Sequence, residues 1–398
     1  MKENVLVVHN LYRYAGGEAN VAENEIAMLR AHGHAVTTYF RENTQLDGAG
    51  LFRKLLLPFT SIFSWKTYRE IKAVIREKQI DVVQVHNTVP LVSPSVYYAA
   101  WAMGVPVVQT VHNFRLLCPD GVFFRDGHIC EECREHSLLR AVRHGCYRHS
   151  RAQSLVMALT MGIHRLLGTY RRIEAYICLT EFNKNKLTSL VPADRIYLKP
   201  NVLTEQAEPL PLKARKRQFC CVGRLDKEKG VYTLLEAFRT LPEETLVIAG
   251  NGPEEAGMKA FLAKHFMKNV VMAGQVDNLA ARRLIAESYA MVLPTKMYEG
   301  FPMTLLESLC AGTPVIGTDI GNVAACLRET GAGPYFDRES PAALAEQVRA
   351  LDERAWNAYH ENAIRAAKAM PDGEENYRML VAIYQKAIAR RKGTEVPA

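Results

Sequence analysis

Residues 221–230 read CVGRLDKEKG, with Arg224 directly after an apolar run and Lys229 immediately before a helical pattern that starts near Gly230. Glycines at 223 and 230 let a ligand come close to the backbone. The helix start adds N–H groups and partial positive charge. Gly223, Arg224 and Lys229 together make a two-cation clamp of the size a diphosphate needs. A plainer reading of the same turn pairs the two bases with Asp226 and Glu228.

Residues 298–316, YEGFPMTLLESLCAGTPVI, carry Glu299 and Glu307. Pro302 suits the first helical position, where its missing N–H matters little. The pattern then predicts a helix to about residue 311, stopped by Gly312. Leu305, Leu306, Leu309 and Cys310 fall on one face, and Thr304, Glu307 and Ala311 on the opposite one. Glu307 is therefore expected to point away from the core, with Glu299 in the loop before the helix. A helix starting there is expected to turn the first-turn backbone N–H groups of Phe301, Met303 and Thr304 toward a ligand. Carboxylates accept from vicinal hydroxyls and N–H groups donate to them, so the combination suits a sugar or ribose. A solvated glutamate on an amphipathic helix is the alternative.

The elements that must hold these groups alternate. Apolar runs at 4–8, 36–40, 81–85, 105–110, 175–179 and 195–198 read as strands, and helical patterns at 64–78 and 93–103 lie between them. Residues 201–218 break the pattern with prolines and mixed charge and read as a linker. Strands then resume at 219–222, 246–249, 270–272, 290–293 and 314–317, and a last helix covers 376–391. This is βαβ repetition, hence two doubly wound α/β domains with ligands expected outside the C-terminal edges of their sheets.

A length of 398 residues agrees with two domains. The net charge of +8 suits an anionic ligand or a membrane surface, and is too small and too mixed to indicate nucleic acid. No run of about 18 apolar residues is long enough to span a bilayer. The first residues read as a strand and not as a secretion signal, so a cytoplasmic location is expected.

Gly-Arg-Leu-x-x-x-Lys-Gly at 223–230, Gly-Asn-Gly-Pro at 250–253 and Glu-Gly-Phe-Pro-x-x-x-x-Glu at 299–307 resemble the retaining glycosyltransferases of family 4, which have the GT-B fold of two Rossmann-like domains. The N-terminal half adds Ala-Gly-Gly-Glu at 15–18, Gly-His-Ala-Val at 33–36, His-Asn at 86–87 and 112–113, and Lys-Pro-Asn at 199–201. The resemblance implies an acceptor-side domain over 1–202, a nucleotide-sugar domain over 203–370, and a final helix in 371–398 packing back on the first domain. It also implies roles. Arg224 and Lys229 would hold the diphosphate of a UDP- or GDP-linked sugar, Glu307 the ribose, and Glu299 with Gly300, Phe301, Pro302 and Met303 the sugar. Gly16 and Gly17 would approach the diphosphate or the acceptor, and His112 the sugar near its reacting carbon. The acceptor would be a glycan or lipid-linked glycan.

No Asp-x-Asp pair occurs in the chain, so no catalytic metal is expected, with the two bases supplying the charge. A nucleotide-sugar epimerase, or a non-catalytic scaffold docking through a cysteine-rich insert, are the rival readings. That insert, about residues 113–150, holds Cys118, Cys130, Cys133 and Cys146, which read as structural zinc ligands, unliganded thiols or a disulfide. Beside it, the basic and apolar stretches 134–172 and 51–65 suit peripheral contact with an anionic membrane.

Overall fold

A computed structural model describes residues 2–12, 17–46, 50–203 and 208–394. They form two compact units: Met1–Val122, Glu131–Asn201 and Asp372–Ala398 in the first, Phe123–Cys130 and Val202–Pro371 in the second.

The first unit is built on β1 (Asn4–Leu11), β2 (Ala35–Glu42), β3 (Val82–Val85) and β4 (Val107–Val111). A two-residue hairpin, β5 (Phe124–Arg125) with β6 (His128–Ile129), groups with the second unit. The chain then returns to the first sheet through β7 (Ala175–Cys178) and β8 (Ile196–Leu198). All pairings in this sheet are parallel, in the order β2-β1-β3-β4-β7-β8. β3, β4 and β7 are buried at every residue, which explains their unbroken apolar runs. One sheet face packs Ile71, Ile75, Val96 and Tyr97. The other packs Ile26 and Leu29 together with Leu380, Ile383 and Tyr384 of the helix Gly373–Lys392. Each such side chain, fully buried, contributes about 1.5–3 kcal/mol.

The second unit contains β9 (Lys216–Val222), β10 (Thr245–Ala249), β11 (Val270–Gly274), β12 (Ser288–Leu293), β13 (Val315–Thr318) and β14 (Tyr335–Phe336). Their order is β11-β10-β9-β12-β13-β14, again parallel. Strand order reverses between β9 and β12, and in the first sheet between β1 and β3. Such switch points leave a crevice at the carboxyl ends of the strands.

Two sequence expectations shift. The linker is shorter, because Lys216, Arg217 and Gln218 already belong to β9. β14 was not anticipated: with two residues it has no periodicity to read, and it exists by pairing with Gly317 and Thr318.

Candidate active site

The second unit's switch point gathers the residues singled out by spacing. β9 ends at Val222, and the turn after it carries Arg224 and Lys229 before the helix Val231–Arg239. Gly230 has φ +72°, and a Cβ there would lie 1.8 Å from the Pro294 carbonyl oxygen just after β12. Only glycine lets the two chain segments meet so closely. Gly250 does the same for the neighbouring turn, where a Cβ would lie 1.8 Å from the Gly223 oxygen. Gly223 itself faces open space, since a Cβ there meets nothing within 4 Å.

Lys229 donates from Nζ to Glu299 Oε1 at 2.6 Å, while Arg224 pairs through Nε with Asp226. The plainer reading of the turn thus holds for Arg224 alone. Its side chain remains 53 % exposed and Lys229 26 %. An ammonium has three donors and a guanidinium five, so both keep N–H groups beyond these pairings for an anion.

The loop of Glu299 is fixed from behind. Asn322 donates through Nδ2 to the carbonyls of Glu299 at 2.7 Å and Gly300 at 2.6 Å. Phe301 follows, and Pro302 (φ −66°, ψ 122°) stands at the N-cap, so the helix Met303–Cys310 starts one residue later than expected. No side chain caps it. Leu305, Leu306, Leu309 and Cys310 are buried as the pattern predicts, but so is Ala311, assigned to the opposite face. Glu307 is not solvated either. Its side chain is 11 % exposed and accepts from Arg282 Nε at 3.4 Å. Burial pushes its carboxyl above the usual range, and Arg282 partly offsets the rise.

In the first unit His112 follows β4 directly, and its Nε2 lies 2.8 Å from His86 Nδ1, just after β3. The two rings are stacked with centroids 5.1 Å apart. His86 Nε2 is 3.6 Å from Glu25 Oε2. Glu25 in turn accepts from Gln84 Nε2 at 2.7 Å and from Lys199 Nζ. Gln84 takes the Tyr384 hydroxyl. His9 stands edge-on to His86 at 5.8 Å, buried, with both ring nitrogens unpartnered. Burial lowers all three histidines: His9 to about 4, His86 and His112 well below 6.5, so all are neutral at pH 7. His86 and His112 open onto a pocket lined also by Tyr97, Gln109, Arg115 and Met161.

Gly17 is the first, exposed residue of the helix Gly17–Ala31, and Gly16 lies outside the described residues. The zinc reading of Cys118, Cys130, Cys133 and Cys146 is not supported by geometry. Among the described residues no three His, Cys, Asp or Glu side chains are placed to hold a metal ion.

Two family models divide the chain between them. The one described as Glycosyltransferase Family 4 matches residues 15–204, and the one described as Glycosyl transferases group 1 matches residues 203–370. The chain belongs to the family 4 glycosyltransferases. The D-rhamnosyltransferase WbpZ of Pseudomonas aeruginosa is 31% identical over 183 residues, 46% of either chain. The chain spans about half the length or less of the curated relatives it first matches. Among solved structures, sucrose-phosphate synthase from Thermosynechococcus elongatus gives a TM-score of 0.69 at 16% identity, covering 98% of this chain and 100% of that one. Anabaena Alr3699/HepE in complex with UDP and glucose gives 0.65 at 13%, covering 95% and 98%. At these identities the likeness establishes the GT-B fold, and both sheets of this family member conform to it.

Sequence reasoning passed over the supports of the site. Asn322 and Arg282 hold Glu299 and Glu307 but sit in no motif. The buried chain from His112 to Lys199 had a visible signal: His-Asn occurs three times, at 9–10, 86–87 and 112–113. Each copy falls at or just past the end of β1, β3 or β4, three adjacent strands.

Proposed function

We propose that the protein transfers a hexose from a nucleotide-diphosphate sugar to a hydroxyl of a glycan or lipid-linked glycan, with retention of configuration and without a catalytic metal. The observation that carries this is the Lys229–Glu299 pair at the β9/β12 switch point, with Arg224 beside it and Glu307 on the following helix. The bases of this group suit a diphosphate, and its carboxylates suit hydroxyls. As the bond from sugar to phosphate breaks, negative charge grows on the leaving diphosphate, and Arg224 and Lys229 stabilise it. One such group typically accounts for about a hundredfold in rate. Glu307 reads the ribose, and Glu299 the sugar. A structural relative was solved with UDP and glucose, which favours UDP as the carrier. A thermal-shift panel of UDP- and GDP-sugars tests the reading: one nucleotide series must raise Tm, and sugar must reach an acceptor. Turnover of donor into an isomer without acceptor would instead indicate an epimerase.

Work at the cytoplasmic face of a membrane is the second element of the proposal. Residues 48–69 and 137–173 contain eleven of the chain's 50 Lys and Arg residues and none of its 42 Asp and Glu. They form, among others, the helices Leu51–Ile62 and Arg151–Leu166 of the first unit, which pack together. Leu55, Phe59, Trp65, Leu159 and Leu166 are exposed there. Apolar side chains exposed beside a net excess of bases match an anionic lipid surface, with Glu70 paired to Lys66 and Glu132 to Arg140 at its margin. Among the described residues no helix is long and apolar enough to cross a membrane.

A further inference from the structure

Close to His112, the first unit holds a second polar group that the donor chemistry does not use. Tyr12 follows β1, Glu18 lies in the first turn of the helix Gly17–Ala31, and Asn113 and Arg115 follow β4. Four of their side-chain atoms are buried without a hydrogen-bond partner: the Tyr12 hydroxyl, Glu18 Oε1, and Arg115 Nε and Nη1. Folded chains rarely leave one such atom unsatisfied, so four from three neighbouring residues need a reason.

These side chains are held in place. Arg115 donates from Nη2 to the Asp120 carbonyl at 3.3 Å, and its backbone N–H donates to Asn113 Oδ1 at 3.0 Å. The rings of Tyr147 and Tyr12 stand 5.4 Å and 6.0 Å from the guanidinium carbon. Glu18 Oε2 accepts from Asn113 Nδ2 at 3.4 Å. Asn87 also lies close to Tyr12 and Glu18; its Nδ2 donates to the Asn10 carbonyl at 2.9 Å and its Oδ1 accepts from the Val89 N–H at 3.1 Å. The guanidinium therefore has fixed orientation and spare donors. Arg115 and Asn113 also line the pocket shared with His86 and His112.

The unsatisfied atoms specify their complement. Two guanidinium nitrogens and a phenol hydroxyl call for an acceptor-rich anionic group, and a lone carboxylate oxygen calls for a hydroxyl donor. A neutral sugar satisfies the second demand and leaves the guanidinium Nε and Nη1 without an anion. We propose that this is an acceptor subsite for a hydroxyl-bearing anion, whose carboxylate or phosphate meets Arg115 and Tyr12 while a hydroxyl donates to Glu18. The inference rests on the glycosyltransferase reading and narrows its acceptor to an acidic one, such as a uronic acid or a phosphorylated polyol.

The test uses the full chain and binding rather than turnover. Glucuronate and glycerol 3-phosphate are titrated beside their neutral counterparts, glucose and glycerol, with UDP as a separate arm. At least one anion should bind and its neutral counterpart should not, and whichever anion binds tells carboxylate from phosphate. Arg115→Lys and Tyr12→Phe should each weaken that binding by about tenfold, as expected for a lost charge-assisted hydrogen bond, and leave the UDP response unchanged. If Arg115→Lys does not fold, Tyr12→Phe carries the comparison. Binding of neither anion, or full anion affinity in the folded variants, overturns the subsite. Loss of the UDP response in the unmodified chain would instead count against the donor reading.

Discussion

His112 reaches its neighbour His86 through Nε2, at 2.8 Å from Nδ1, so one ring nitrogen of His112 is already committed inside the protein. Which way the proton points follows from what lies behind. Glu25 Oε2 lies 3.6 Å from His86 Nε2, beyond hydrogen-bond length, and its charge favours the tautomer with the proton on that nitrogen. His86 Nδ1 is then an acceptor, and His112 Nε2 donates to it. His112 Nδ1 is left with a lone pair, suited to receive a sugar hydroxyl.

His86→Phe removes that acceptor while keeping a ring against His112. Turnover should fall by roughly tenfold, the scale of one lost positioning contact, with KM for the donor nearly unchanged. His112→Ala should cost more, and the double variant no more than His112→Ala alone. Additive losses in steady-state kinetics would show that His86 does not act through His112.

The Lys229–Glu299 pair yields a sharper contrast. Lys229→Ala removes the cation proposed to stabilise the leaving group and leaves a 10 % exposed carboxylate without its partner. It should lower kcat about a hundredfold and reduce Tm, since breaking a buried pair costs more than the pair contributes. Lys229→Arg keeps the charge and should recover Tm before it recovers rate. Calorimetry and initial rates on both variants check this, and a fully active Lys229→Ala protein contradicts the assignment.

These two relationships also mark how far the sequence could be read. The strands were legible because parallel, doubly covered strands are continuous apolar runs; β3 and β4 lie within two residues of their expected bounds. The identity of the charged side chains was legible too. Their partners were not, because Lys229 and Glu299 stand 70 positions apart and Lys199 and Glu25 stand 174 apart. Local spacing offered Asp226 and Glu228 as partners for the two bases, and the fold took Asp226 for Arg224 and a distant glutamate for Lys229. Burial of Glu307 likewise depends on Arg282 of another helix, which the residue pattern of its own helix does not contain.

Glu307 should make nucleotide binding pH-dependent. Only its ionised form accepts two ribose hydroxyls without donating, and burial raises its pKa while Arg282 lowers it. Affinity for UDP should therefore weaken as pH falls, beginning above the ordinary carboxylate range near 4.5. Arg282→Ala removes the lowering influence and should move that loss to still higher pH. Titration calorimetry from pH 8 down to pH 5 reads both curves; identical midpoints would show that Arg282 does not tune this carboxylate.

Stability should respond to acid through His9. Its pKa is lowered by burial from 6.5 to about 4, so the unfolded chain binds its proton first. The contribution of the neutral ring is complete above pH 6.5 and is lost as pH falls toward 4, a change of about 3 kcal/mol over that window. His9→Leu keeps an uncharged side chain of similar size and removes the titration. Its Tm should fall less than that of the unmodified protein between pH 6.5 and 4, and parallel Tm curves for the two would exclude His9 as the source.

The basic and apolar surface of residues 48–69 and 137–173 makes the last prediction. Each base held near an anionic bilayer contributes about 1 kcal/mol at low salt, and screening beyond about 8 Å weakens this at physiological ionic strength. The full chain should therefore sediment with phosphatidylglycerol-containing vesicles, bind neutral phosphatidylcholine vesicles poorly, and release as salt rises. Phe59 is 71% exposed and Leu159 45%, so Phe59→Asp and Leu159→Asp change the surface without opening the core. Both should weaken vesicle binding at least tenfold while leaving the response to UDP intact, because the residues proposed to bind the nucleotide belong to the other unit. Self-association through this face makes a different prediction, a concentration-dependent dimer that the same substitutions abolish. Equal affinity for neutral and anionic vesicles, or wild-type binding by the aspartate variants, would remove the membrane from the proposal.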